Sequence, residues 1–215
     1  ADQRLVAGSD QLAAALGRAG RLEVERGHAL GEVAARYVQF VAGARTVAAP
    51  LPLPDPATLA NGIRCISAAD TRWARCDIKS VALLANVLLR QQAIDAGASE
   101  TLLLRDGQLT EASASAVHVV IGGEIRTPPR TTRLLPATTR GFIEELAAAN
   151  GIACRSAPVS ESELRSAEEI WVSAATRGAV PVTTLDGRPV GDGRPGPLWQ
   201  RMHALIEAAW AQARR

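Results

Sequence analysis

Lysine is almost missing from this chain of 215 residues, whose 24 basic side chains are arginines with the single exception of Lys79. Arginine stays protonated and serves wherever only positive charge is wanted, whereas a lysine amine can be tuned to react, so the one lysine retained is a candidate nucleophile. Cysteine is scarce too: Cys65, Cys76 and Cys154 form no CxxC pair and no Cys/His pair at zinc spacing, which excludes a zinc finger or disulfide scaffold. Free cysteines in a chain this long point to a reducing cytoplasm. No apolar run reaches the roughly 18–20 residues that a membrane helix needs. Ala1 to Gly20 shows no basic start followed by an apolar run, so neither a membrane span nor a secretion signal is expected. The only methionine is Met202, and Ala1 reads as a processed or trimmed start. The net charge of +2 comes from basic and acidic residues scattered along the chain, and no stripe for nucleic-acid phosphates emerges.

What is present is an ordinary globular composition, 47% hydrophobic and 21% charged, of a length that can bury a full core. Leu12, Leu16 and Leu22 predict a helix from Ser9 to about Gly20. A second short helix at Gly31 to Arg36 runs into a strand at Tyr37 to Val41. APLPLPDP at residues 49–56 predicts an extended connector, since proline supplies no amide donor and biases its predecessor away from helix. It divides a reduced N-terminal domain, residues 1–49, from a large domain at 57–215, with the connector at 50–56.

Beyond the connector, Gly62 to Ser67 predicts a strand. Val81 to Ala96 predicts an apolar helix stopped by Gly97. Asp106-Gly107, Gly122-Gly123 and Asp186-Gly187 mark hairpin turns. Helices are predicted at Thr139 to Ala149, Glu161 to Ala167 and Pro197 to Ala211, with a strand at Glu169 to Val172. Hairpins mixed with helices indicate an α+β core rather than a parallel Rossmann sheet.

Four short segments carry candidate chemistry. Lys79, in RCDIKS at residues 75–80, stands just before the apolar helix, where a buried wall lowers an amine's pKa and lets it attack an aldehyde to form a Schiff base; the alternative is a surface lysine paired with Asp77. Glu111, in LTEASAS at 109–115, is a carboxylate followed by small residues, able to hold a pyridine nitrogen protonated while a flat ligand lies on the backbone, or else an ordinary hairpin carboxylate. LLPATTRG at 134–141 runs into a helix whose first amides, with the hydroxyls of Thr138 and Thr139, suit a phosphate; threonine is also an ordinary N-cap. Ser173 to Thr176, after a strand, could add a hydroxyl to the same phosphate, or be an ordinary strand-to-loop junction. An amine, a carboxylate and a phosphate cradle are the needs of pyridoxal phosphate.

These segments, in this order from Gly62 onward and with LLANVLLRQQA and VPVTTLDGRPVGDGRPGP between and after them, resemble the large domain of the fold type IV pyridoxal-phosphate enzymes, most closely the D-amino-acid aminotransferases. The resemblance implies a mixed β-sheet or pseudo-barrel with helices. It makes Lys79 the catalytic lysine, which bonds the cofactor and shuttles the proton, and Glu111 the partner of the pyridinium nitrogen. Leu135 packs on the ring, and Thr138, Thr139 and Thr176 bind the phosphate. The implied activity is a ping-pong transfer from a D-amino acid or (R)-primary amine to a keto acid or ketone, in a cytoplasmic homodimer with no nucleic-acid, membrane or metal partner. An aminodeoxychorismate lyase and a non-catalytic cofactor-binding remnant share the fold.

The chain departs from the family in its N-terminal third. Ala14 stands where a phosphate-binding arginine belongs, and Arg18, one turn later on the same face, is the candidate substitute. Only Ala44-Arg45-Thr46 follows the Tyr37 to Val41 strand, where relatives carry residues that grip a substrate carboxylate. A shortened small domain implies an open pocket. Ala116 replaces an expected asparagine. His28 reads as a surface residue, and His118 and His203 read as structural.

Overall fold

A computed structural model of the chain describes residues 54–213. Arg18, His28 and the helices and strand predicted before residue 50 lie outside them. Asp55 is extended and its carboxylate accepts the Ala57 amide at 3.1 Å, while Pro56 fills the first helical position, so α1 (Pro56–Asn61) begins where a connector was expected. Strand β1 (Ile63–Ala69) follows. Helix α2 (Leu84–Asp95) starts one turn later than its apolar pattern predicts, because Ser80 to Leu83 run along a cavity wall and Leu83 supplies no side-chain cap. It stops as predicted, with Gly97 at φ 66°.

The next strands are β2 (Glu100–Arg105), β3 (Gln108–Ala112), β4 (Ala116–Ile121) and β5 (Glu124–Thr127). Asp106 and Gly107 between β2 and β3 have φ of 55° and 70°, and Gly122 and Gly123 between β4 and β5 have 61° and 71°, the positive values a tight hairpin requires. Helix α3 (Thr138–Ala149), strand β6 (Cys154–Ser156) and helix α4 (Glu161–Arg165) come next. The chain closes with β7 (Glu169–Ala174), β8 (Gly178–Leu185), β9 (Arg188–Pro189) and α5 (Pro197–Ala213). β6 has no alternating pattern to betray it: it is a three-residue edge strand with two exposed side chains.

One curled mixed sheet contains the nine strands of the described residues in the order β3-β2-β1-β8-β7-β4-β5-β6, with β9 on β8. β1 pairs parallel with β2 and β8, and β5 with β6, so the α+β expectation holds with parallel and antiparallel pairs in one sheet. The two faces separate by residue parity: Ile170 and Val172 of β7 join Val117, Val119, Val180 and Val182 in one apolar cluster, whereas Trp171 between them joins Ile143 of α3 and Met202 and Ile206 of α5 in the other. The sheet therefore has one face turned into its own curl and one covered by α3 and α5.

Glu169 fixes α5 to the sheet. Its buried carboxylate accepts the amides of Leu198 and Trp199, both at 2.8 Å, and the indole N–H of Trp171 at 3.0 Å. A negative group at a helix N-terminus satisfies orphan amides and the dipole together. Gly196 is needed beside it, since a Cβ there would strike the carboxylate. Glu169→Ala strands three buried donors and should lower the unfolding free energy by about 2–4 kcal/mol in a urea titration; a loss under about 0.5 kcal/mol, the range of an ordinary surface change, would refute the role.

Candidate active site

A cavity of about 770 Å³ opens between one face of α2, the segment leading into it, the β3–β4 loop, the start of α3 and the end of β7. It brings together Lys79, Glu111, Leu135, Thr138 and Thr139, which are far apart in the chain. Topology explains the meeting of the β3–β4 loop with the end of β7, because β4 pairs with β7 and sets Ala116 opposite Ser173.

Glu111 is the penultimate residue of β3 and is 8% exposed. Arg72 Nη1 donates to its Oε1, and the Leu135 amide donates to its Oε2 at 3.1 Å. Burial pushes the Glu111 carboxyl above the usual carboxylate range, while the Arg72 guanidinium and the Leu135 amide pull it back. The result is a basic carboxylate aimed into a cavity, suited to keep a proton on an aromatic ring nitrogen. Arg72 is itself clamped by Asp70 through Nε to Oδ1 at 2.8 Å and Nη2 to Oδ2 at 2.9 Å, and donates to the Arg133 carbonyl at 3.0 Å. Burial opposes the charge of Asp70, yet its bonds to Arg72 hold its carboxyl below the ordinary range. Arg105 adds a second cation to Asp70 at 3.1 Å. In a chain with so many arginines nothing in the sequence marked Arg72 as the one behind the carboxylate.

Lys79 lines the cavity but is exposed, which corrects the expectation of a buried wall around it. The Asp77 alternative also fails: Asp77 is held by Arg75 through two contacts of 2.9 Å, and among the described residues Lys79 makes no ion pair. Leu135 is half-buried on the wall, and its backbone orients Glu111 as well. Thr138 and Thr139 are the first residues of α3, whose N-cap Ala137 offers no side-chain cap, so the first-turn amides stay open toward the cavity.

Thr176 requires a correction. It is exposed and not part of the cavity wall, where Ser173, Ala174 and Ala175 stand instead. Ser173 is fully buried and pairs with His118 Nε2 at 2.9 Å. His118 stacks on Trp171, and burial, with the Arg140 charge adding to it, pushes its imidazole down to about 3. It is therefore a neutral structural residue, as expected. His203 stacks on Trp199 at 4.9 Å and is likewise structural.

Comparison with known proteins places this geometry. The Amino-transferase class IV family model matches residues 4–185, and the chain belongs to that family. It is 40% identical over 147 residues to a D-alanine aminotransferase from Bacillus licheniformis, covering 68% of this chain and 52% of that one. A D-alanine aminotransferase from Staphylococcus aureus strain MW2 is 33% identical over 191 residues, covering 82% and 68%. The fold resembles the Escherichia coli branched-chain amino acid aminotransferase, with a TM-score of 0.61, 29% identity, and coverage of 69% and 52%. It also resembles the T.th. branched-chain amino acid aminotransferase complexed with N-(5'-phosphopyridoxyl)-L-glutamate, with a TM-score of 0.63, 26% identity, and coverage of 69% and 52%. The chain spans about half the length of most of the curated relatives it matches.

Pyridoxal phosphate is the cofactor of this family, and the cavity's donor set fits it. An amine, a basic carboxylate and an uncapped helix N-terminus line one space, where they would suit an aldehyde, a ring nitrogen and a phosphate.

Arg72→Met tests the charge ladder. It removes the described cation from Glu111 and leaves Asp70 with Arg105 alone, and should destabilise the protein by about 3–5 kcal/mol near neutral pH. Arg72 lowers both carboxyls relative to the variant, so its contribution is full above their variant pKa values and fades as pH falls through them. Urea titrations at about pH 8 and about pH 5 should show the smaller loss at the lower pH; equal losses at both would overturn the assignment.

Proposed function

We propose that this chain is a pyridoxal-phosphate-dependent aminotransferase that moves an amino group from a D-amino acid or (R)-primary amine to a keto acid or ketone by a ping-pong cycle. The observation that carries the proposal is the convergence of Lys79, without an ion-pair partner among the described residues, and the buried Glu111 on one cavity.

When bound, the cofactor supplies an electron sink that makes the substrate α-proton removable. Lys79 Nζ would hold the aldehyde carbon and, once the donor amine has displaced it, take the α-proton from one carbon and return it to another. Glu111 would hold the proton on the ring nitrogen, with Arg72 keeping that carboxylate ionised and aimed. Leu135 would lie against the ring. The open amides of α3 and the hydroxyls of Thr138 and Thr139 would bind the phosphate. Arg18 is proposed as a further phosphate ligand from the sequence alone.

The same reading treats residues 1–49 as a reduced small domain, 50–56 as its connector and 57–215 as the cofactor domain, acting as a cytoplasmic homodimer. A dimer is supported by the exposed apolar side chains Val81, Leu84, Val87 and Leu88 beside the cavity, which are 98%, 72%, 59% and 57% exposed. Light scattering that returns a monomer would contradict it.

Borohydride treatment of the protein with its cofactor should leave a mass increment on the peptide containing Lys79. Lys79→Ala should lose that label and slow transfer by at least about 10²–10⁴-fold. An unlabelled peptide overturns the proposal. Pyruvate released from aminodeoxychorismate without an amino acceptor would instead mark a lyase, and a labelled lysine without turnover a remnant.

A further inference from the structure

Glu100, the first residue of β2, has no exposed surface, yet it answers two arginines. Arg90 Nη1 of α2 donates to its Oε2 at 3.1 Å, and Arg177 Nη2, from the β7–β8 turn, donates to the same oxygen at 2.5 Å. Its Oε1 takes the Thr101 amide at 3.2 Å and the Ser113 hydroxyl. Ser115 Oγ donates to Oε2 at 3.2 Å and accepts from Arg177. One arginine would neutralise this carboxylate, so the second leaves an uncompensated positive charge among the described residues. The guanidinium groups are not sealed in, since their side chains are 37% and 23% exposed. Arg90 commits one of its five N–H donors to a described residue, and it lines the cavity together with Ser113 and Ser115, as do Thr138, Thr139 and Ser173.

Arg90 and Arg177 share one buried carboxylate, so spare donors of Arg90 and a net positive charge stand at the cavity wall that Arg90 lines, preorganised for an anion with planar or tetrahedral oxygens. We propose that Arg90, clamped by Glu100 and backed by the charge of Arg177 behind the wall, forms with Ser113 and Ser115 an oxyanion subsite of this cavity that takes the phosphate of the cofactor or the carboxylate of the amino donor. Naming those two anions rests on the class IV reading; the subsite itself rests on the geometry. None of the three charged residues announces this role in the sequence, because Glu100, Arg90 and Arg177 stand in three different elements.

The test uses the full chain and Arg90→Gln, which leaves Glu100 and Arg177 as a balanced one-to-one pair and so keeps the fold, with Arg90→Lys as the conservative variant and Arg90→Gln/Arg177→Gln as the stronger one. Inorganic phosphate, at ionic strength held constant with chloride, should raise the melting temperature of the wild type and of Arg90→Lys, and raise that of Arg90→Gln by less than half as much. Tryptophan fluorescence titrations should show affinity for pyridoxal phosphate falling about 10-fold in Arg90→Gln, while affinity for pyridoxal stays within about twofold; this assigns the phosphate. If pyridoxal phosphate binding is unmoved but KM for D-alanine rises about 10-fold and KM for (R)-1-phenylethylamine does not, the anion is the donor carboxylate. Phosphate protecting the double variant as well as the wild type, with neither selective loss, overturns the subsite. A wild type that fails to bind pyridoxal phosphate overturns the class IV reading alone, and the inorganic phosphate arm then still decides the subsite.

Discussion

A carboxylate inside a protein is costly unless a cation answers it, and the site depends on how Arg72 answers Glu111. A carboxylate left in water could not hold a proton on a ring nitrogen against bulk solvent, so it has to be buried to act. Burial raises its pKa. Arg72 pulls it back, Asp70 balances Arg72, and Arg105 shares Asp70, which makes an alternating ladder from the segment after β1 to the end of β3. The Leu135 amide closes the ladder onto the loop before α3. Through this chain of contacts one charged group sets the relative position of three cavity walls.

The sheet supplies the remaining precision. Pairing of β4 with β7 places the serine-containing β3–β4 loop against the end of β7, and Asn86 of α2 ties into that loop by donating to the Ser113 carbonyl at 2.8 Å. Glu100 repeats the logic of Glu111 with the opposite balance: at Glu111 and Asp70 carboxylates and guanidiniums alternate, whereas at Glu100 two guanidiniums share one carboxylate. The same device, an ion pair anchored under a cavity wall, thus serves a basic group at one end and a positive surface at the other. Lys79 differs from both because it makes no ion pair among the described residues.

Local signals were legible where they were short-range. Asp106-Gly107 and Gly122-Gly123 announced their hairpins because positive φ is a property of those residues themselves, and Gly97 announced the end of α2 for the same reason. The start of α2 was misplaced because its apolar residues satisfy a helical period as well as an exposed cavity rim, and periodicity cannot tell these apart. Thr176 was assigned to the phosphate on type and proximity, yet the turn after β7 carries its hydroxyl off the wall and leaves Ala175 there. Glu169 read as a strand residue, since its role as cap of α5 depends on a helix nearly thirty residues later.

By itself the sequence determined the α+β class, most of the elements and the ingredients of the chemistry, because a lone lysine, a carboxylate before small residues and a threonine pair before a helix are properties of neighbouring residues. Only the tertiary structure decided which charges answer one another. Arg72 reaches Glu111 across 39 positions, and Arg177 reaches Glu100 across 77. Such pairings are selected by the desolvation of buried carboxylates, a penalty that exists only once the sheet has closed around them.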